Sequence, residues 1–358
     1  MESSDLGSTV IGGVDTHKQT HAVVALDGTG RLRGSQTFPA SGAGYAAIVA
    51  WLRAFGPVRC VGVEGTGSYG SGLASHLRKE GVEIVEVNRP NRQARRRHGK
   101  SDPADAEAAA RAALAGDAVG VPKAQNGPVE IIRLFRLQRR SAIRARTQAA
   151  NQLHAVVCTA PESLRSSLRG LSLAALLAQV AKMRASQSQD LESATRAVLR
   201  ALGARWQQLD REVAALDQKL ESLVSVAAPD LVALRGVGVE VASALLVAAG
   251  DNPERLEREA SFAALCGVSP IDASSGKQQR HRLNRGGNRD ANRALWVIAL
   301  SRLQCDGPTK DYMARRVQQG LSKPEVIRCL KRYISREVFE VIRKSYVLAL
   351  PDALPKAP

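Results

Sequence analysis

The chain has 358 residues, with 51 Lys and Arg against 34 Asp and Glu and a formal charge of +17, so it is long enough for two domains and calls for an anionic partner, nucleic acid first. A hydrophobic content of 44% excludes a disordered basic tail, and only 4% aromatics argues against base stacking as the main binding mode. Five widely separated cysteines, no apolar run of the ~18 residues a membrane span needs, and an acidic, serine-containing start point to a reducing cytoplasm and away from membranes or secretion.

Val10 to Val14, His21 to Leu26 and Arg31 to Phe38 read as a three-strand meander, the last two strands joined across Asp27-Gly28-Thr29-Gly30. Helix and strand then alternate: Gly44 to Phe55 helical, Val58 to Val63 a strand, Tyr69 to Glu80 helical, Val82 to Val87 a strand. Three antiparallel strands followed by α/β alternation is a ribonuclease-H-like order. A basic stretch with Arg92, Arg95, Arg96, Arg97 and Lys100 leads into an Ala-rich helix that starts near Asp102, with Pro103 in its first turn. Residues 1–128 are expected to form this α/β domain.

Residues 129–227 carry no strand signal and predict a helical linker, opening on a basic helix with Arg133, Arg136, Arg139, Arg140, Arg144 and Arg146. Within it Leu202, Trp206, Leu209, Val213, Leu216, Leu220 and Leu223 step by 4, 3, 4, 3, 4, 3, the spacing of a coiled-coil seam. Three such heptads predict self-association, with packing inside the same chain as the alternative. Residues 228–358 predict a basic helical domain, so the fold class is α/β plus all-α. It opens on Leu234-Arg-Gly-Val-Gly238 ahead of an apolar helix, in the manner of a helix-hairpin-helix. Backbone N–H groups at Gly236 and Gly238 can hold a phosphate there, although an ordinary interhelical turn also uses glycine.

Asp15 ends the first strand and Glu64 ends the strand Val61-Gly-Val63, while Asp102 and Asp105 lie three apart on one face of a helix start. Taken singly, each acid reads as a turn residue, a helix cap or a first-turn charge. Together, in a strongly basic protein, they predict a two-metal phosphoryl-transfer site for Mg²⁺ or Mn²⁺. Gly65-Thr-Gly-Ser-Tyr-Gly70 also fits a dinucleotide-binding turn, with Glu86 about 20 residues on. Glu64 would aim a carboxylate at the pyrophosphate, so these glycines are read as a sharp turn beside the metal site. In the second domain Ser274-Ser275-Gly276-Lys277 is followed by Arg280, Arg282, Arg285 and Arg289 around the turn Asn284-Arg-Gly-Gly-Asn288. Such guanidinium groups contact phosphate and can stabilise a phosphoryl transition state attacked by a serine.

Val-Asp15-Thr-His-Lys, Glu64-Gly-Thr-Gly-Ser-Tyr, Lys100-Ser-Asp102-Pro-Ala-Asp105-Ala, Leu234-Arg-Gly-Val-Gly, Phe262-x-x-x-Cys-Gly-Val-Ser-Pro270 and Ser274-Ser-Gly-Lys occur in an order and spacing that resembles the insertion-sequence transposases of the IS-110/IS-116/IS-902 type, over nearly the whole chain. The resemblance implies a RuvC-like domain with four catalytic acids (DEDD) at Asp15, Glu64, Asp102 and Asp105 holding Mg²⁺, and a second domain whose nucleophile is Ser275, with Ser274 as fallback. It implies a DNA recombinase that excises and inserts its element through a phosphoserine intermediate, directed by a structured noncoding RNA that pairs with donor and target DNA. On this resemblance Arg92, Arg95, Arg96, Arg97, Lys100 and the helix with Arg133, Arg136, Arg139 and Arg140 bind nucleic-acid backbone, as do Lys277, Arg280, Arg282, Arg285 and Arg289. The helices of 129–227 then assemble dimers and a tetrameric synaptic complex. Two rival functions remain at this level: a metal-only RuvC-like nuclease or resolvase with water as nucleophile, and a non-catalytic nucleic-acid-binding protein.

Overall fold

The computed structural model describes residues 8–87, 101–116, 120–184, 190–274 and 281–348. β1 (Val10–Thr16), β2 (Thr20–Asp27) and β3 (Leu32–Pro39) pair antiparallel as the meander. Asp27 fixes the β2–β3 turn, its Oδ1 accepting from the Thr29 hydroxyl at 2.6 Å and from the Thr29 and Arg31 amides at 3.0 Å. These bonds, the Thr29 hydroxyl foremost, hold its carboxyl below the usual carboxylate range. α1 (Gly42–Arg53), capped by Ser41, leads to β4 (Val58–Glu64), and α2 (Ser71–Lys79) leads to β5 (Glu83–Val87). α2 starts two residues after Tyr69 because the amides of Ser68 and Gly70 close a turn on the Gly65 carbonyl, at 2.9 and 3.1 Å. The sheet order is β3-β2-β1-β4-β5, with β4 parallel to both β1 and β5, which is consistent with a RuvC-like α/β domain.

The two faces of this sheet are packed differently. On one, Ile48 and Leu52 of α1 and Leu73 and Leu77 of α2 bury large side chains over Val14, Val23, Val61 and Val63. On the other, α3 (Asp102–Ala115) lays Ala106, Ala110 and Ala113 over Ile11, Val24, Leu26 and Cys60. Alanine reaches the sheet only if the helix comes very close, and glycines permit this. A Cβ on Gly13 would lie 2.1 Å from the Ala106 carbonyl oxygen, and one on Gly62 would lie 2.5 Å from that of Ala109. The α3 backbone therefore rests directly on strands β1 and β4.

The chain divides into two compact units, residues 1–125 and 126–358. The second contains α4 (Pro128–Thr159), α5 (Glu162–Leu168), α6 (Leu173–Ala181), α7 (Leu191–Ala227), α8 (Pro229–Ala233), α9 (Val239–Ala249) and α10 (Glu259–Leu265). A short hairpin, β6 (Ile271–Asp272) with β7 (His281–Arg282), follows, then α11 (Arg289–Cys305), α12 (Gly307–Gln318) and α13 (Lys323–Leu348). α4 and α7 pack along one another, with Gln138 donating to Glu212 at 2.9 Å and Arg139 paired to Asp217. Val213, Leu216 and Leu220 of the heptad seam are buried. This part of the seam is thus covered within the chain, the alternative the spacing left open, because α4 offers it an apolar face of matching length. Val129, Ile132, Leu220 and Val224 from α4 and α7 share one core with Leu245, Phe262, Leu295 and Val338. Among the described residues no helix is long and apolar enough to cross a membrane.

Candidate functional site

In the parallel register of β1 and β4, Val14 lies opposite Val63, so Asp15 and Glu64 come next, side by side at the strand ends. The Thr16 hydroxyl donates to the Glu64 carbonyl at 2.8 Å and ties the two ends together. Side chains alternate along a strand, so Ile11, Gly13 and Asp15 share the α3 face with Cys60, Gly62 and Glu64. α3 begins above this point, with Ala106 over Gly13 and Asp105 one residue before it. Asp15 and Asp105 are 8% and 6% exposed, positions where carboxylates require partners.

The cap reading of Asp102 does not hold. Ser101 is the N-cap of α3, its Oγ accepting from the Ala104 amide, and Asp102 is the first helical residue. Its carboxylate instead meets His17, whose Nε2 lies 3.3 Å from Asp102 Oδ1 and 3.3 Å from Asp15 Oδ2. Asp15, His17 and Asp102 present ligand atoms within 4.8 Å of one another, while Glu64 and Asp105 lie outside that trio on the same sheet face. His17 had no assigned role from the sequence. The available signal was its place two residues beyond Asp15, the strand period that returns a side chain to the same side.

These residues fit a hard divalent cation. Carboxylate oxygens from two strand ends and a helix start are the donors Mg²⁺ and Mn²⁺ prefer. In the turn that follows Glu64, the Thr66 hydroxyl donates to Glu86 at 2.6 Å, so the acid a dinucleotide ribose would require is engaged by the turn itself.

In the second unit the β6–β7 hairpin carries Ser274 on its loop. The Ser274 amide donates to Asp272 Oδ1 at 2.9 Å and its hydroxyl bonds to the same oxygen. The hydroxyl bond, then the amide bond, pull the Asp272 carboxyl below its ordinary value. Ser275, Lys277 and Arg280 lie outside the described residues, as do Arg92, Arg95, Arg96, Arg97 and Lys100. Arg282, Arg285 and Arg289 are exposed. Gly236 turns the chain between α8 and α9 with φ of 81°, and the exposed Gly238 opens α9 without a side-chain cap.

The basic helix reads differently in the structure. Arg133 pairs with Glu130, Arg139 with Asp217 and Glu240, and Arg140 with Asp290. Arg136 requires correction as a nucleic-acid ligand, because it is 8% exposed and its guanidinium is committed to α9. It donates to the Glu240 carbonyl at 2.7 Å and to Ser243, and pairs with the Glu240 carboxylate at 3.1 Å. Helical spacing placed these arginines on a stripe but could not say what the stripe faces. Arg136→Met is expected to cost about 2–3 kcal/mol of unfolding free energy in a urea titration and to leave the salt dependence of DNA affinity unchanged. Weaker DNA binding at full stability would restore Arg136 as a phosphate ligand.

Residues 12–160 match the family model of IS110-type DEDD transposases, and DEDD transposase is the class that the α/β unit and its acids define. Residues 229–314 match the transposase model of the IS116/IS110/IS902 family, and the chain belongs to this IS110 family of transposases. It is also 29% identical over 132 residues to a 43.6 kDa protein of insertion element IS110 from Streptomyces coelicolor, a match covering 36% of this chain and 32% of that one. The aligned part thus spans about a third of the relative.

Proposed function

We propose that this protein is a DNA recombinase that excises and inserts an insertion sequence by metal-dependent phosphoryl transfer with a serine nucleophile. The observation that supports the reading is the meeting of Asp15, His17 and Asp102 within 4.8 Å, with Glu64 at the neighbouring strand end and Asp105 in the first turns of the same helix as Asp102, in a chain of charge +17. Bound at these acids, Mg²⁺ or Mn²⁺ supplies positive charge to phosphate oxygens as bonds to phosphorus are made and broken. Asp15 and Glu64 hold their places from strand ends, and Asp102 and Asp105 from the first turns of a helix. His17 lies between Asp15 and Asp102, its Nε2 3.3 Å from an oxygen of each.

In this reading Ser275, with Ser274 as the fallback, bonds through Oγ to the scissile phosphorus while the bond from phosphorus to a sugar oxygen breaks. The serine proton ends on the released sugar oxygen, and rejoining reverses the exchange. The engagement of the Ser274 hydroxyl by Asp272 favours Ser275. Exposed Arg282, Arg285 and Arg289 and the open start of α9 at Gly238 contact DNA backbone. A structured noncoding RNA encoded by the element selects the sequence, which suits a chain with 4% aromatics. Residues 1–128 form the acid-bearing domain, 129–227 the helical linker and 228–358 the serine-bearing domain. Subunits assemble as dimers and then tetramers. Ile131, Leu134 and Leu137, exposed at three-residue spacing on α4, offer an apolar stripe for that assembly.

The test incubates the protein with end-labelled element-junction DNA, Mg²⁺ and RNA transcribed from the element's flank, then resolves it on denaturing gels. A labelled band at the protein's mass, lost in Ser275→Ala and retained in Ser274→Ala, is expected. Cleaved DNA without an adduct in any variant would leave water as the nucleophile and sink the serine mechanism.

A further inference from the structure

The second unit contains a cavity of about 790 Å³ between the loop 267–270, the feet of the β6–β7 hairpin and one face of α13, a size common for ligand sites. Its cations fall into two groups. Arg332 and Arg336 on α13 are met by Glu259, with Arg332 Nη2 2.8 Å from Glu259 Oε2. Arg282, Arg316 and Lys331 have no carboxylate within ion-pair distance among the described residues, and Arg328 lies 3.7 Å from Glu325. Half of the arginines and lysines lining the cavity, Arg282, Arg316 and Lys331, are thus left without an acid among the described residues.

Lys331 makes the point most strongly. It is 7% exposed, and its Nζ donates to Asn292 Oδ1 at 2.6 Å. The Asn292 amide nitrogen donates to the carbonyls of Cys266 and Gly267 at 2.8 and 3.1 Å, which fixes its oxygen toward the lysine. A buried ammonium is therefore aimed by a neutral group, and burial, then Arg328, lower its pKa. An anion in the cavity would reverse that penalty. Arg316 likewise has a buried Nε without an acceptor. Tyr333 also lines the cavity and is 53% exposed, its ring 5.9 Å from the Arg336 guanidinium and edge-on to Tyr312.

We infer that this cavity binds the backbone of an unpaired DNA strand, with Arg316, Arg328 and Lys331 on successive phosphates and Tyr333 against the face of an adjacent base. DNA as the polymer rests on the recombinase reading above. An unpaired strand is favoured because the cations lie in a concavity and a stacking ring needs a base freed from its neighbours. His281 and Arg282 at the foot of the hairpin that carries Ser274 line the cavity, so a strand held here passes that foot. Lys331, Arg328 and Tyr333 lie on a helix outside every sequence motif, which is why spacing did not single them out.

The test measures anisotropy of a labelled oligothymidylate of about 12 nucleotides with full-length protein in EDTA over a range of salt. Arg316→Ala/Arg328→Ala is expected to weaken binding about tenfold and to flatten the log–log salt slope by about 1.4, the loss of two phosphate contacts on a single strand. Tyr333→Ala is expected to weaken binding at least about fivefold with the slope unchanged. Lys331→Met tests the buried ammonium where its melting curve matches the parent, and the double variant decides the matter where it does not. Parent affinity and slope in the double variant would overturn the assignment. An equal loss on duplex DNA would overturn the unpaired strand, and a loss confined to oligouridylate would overturn DNA. Binding in EDTA does not need the acids, so intact strand binding without any adduct would count against the recombinase chemistry alone.

Discussion

Asp15→Asn is expected to slow metal-dependent strand cleavage by at least about 10³-fold, since a ligand to a charge-neutralising ion is worth several kcal/mol and each 1.36 kcal/mol is tenfold in rate. Asn matches the carboxylate in shape, so β1 keeps its pairing and α3 its seat. What changes is charge, at a position 8% exposed, with His17 at 3.3 Å and Asp102 in the same trio. Without metal, removing one of several neighbouring carboxylates relieves repulsion, so the variant should melt no lower than the parent. Added Mn²⁺ should raise the parent's melting temperature by linkage and raise the variant's less. A cleavage rate within threefold of the parent would show that Asp15 is not part of the metal site.

Gly13→Ala should cost about 3 kcal/mol of stability and remove cleavage as well. The added methyl would stand 2.1 Å from the Ala106 oxygen and 2.4 Å from the Ala110 nitrogen. Both are helix backbone atoms that no rotamer change can move. To accommodate it α3 must lift from β1, carrying Asp102 and Asp105 with it. Gly42→Ala is the matched control, since a Cβ there meets nothing within 4 Å. Urea titrations of both variants decide the point, and parent-like stability in Gly13→Ala would mean that α3 does not rest on the strand so closely.

Much of the first unit was legible because its signals are local. Apolar runs marked four of the five strands and the Asp27-Gly28-Thr29-Gly30 turn the third, and Val14-Asp15 and Val63-Glu64 placed an acid just past an apolar run at each strand end. Contacts between distant residues were not legible. Nothing in Ser101-Asp102-Pro103 said that the serine would cap and free the aspartate for His17. The heptads of α7 stated their spacing and not their partner, and α4 of the same chain supplies it. Arg136 read as a nucleic-acid-binding cation, since a single helix cannot reveal which of its faces the rest of the chain will cover.

The seam of Gly13 and Gly62 against the alanines of α3 also bears on motion. Main chain resting on main chain leaves no side-chain rotamers to rearrange, so the helix and the two strands should move together on the picosecond-to-nanosecond scale, when exposed side chains sample their wells. On the proposed function, the four carboxylates ride on a single stiff body and need little reorganisation before reaction. On that reading, whatever must open to admit a DNA strand and again to release it has to be built from other parts of the chain.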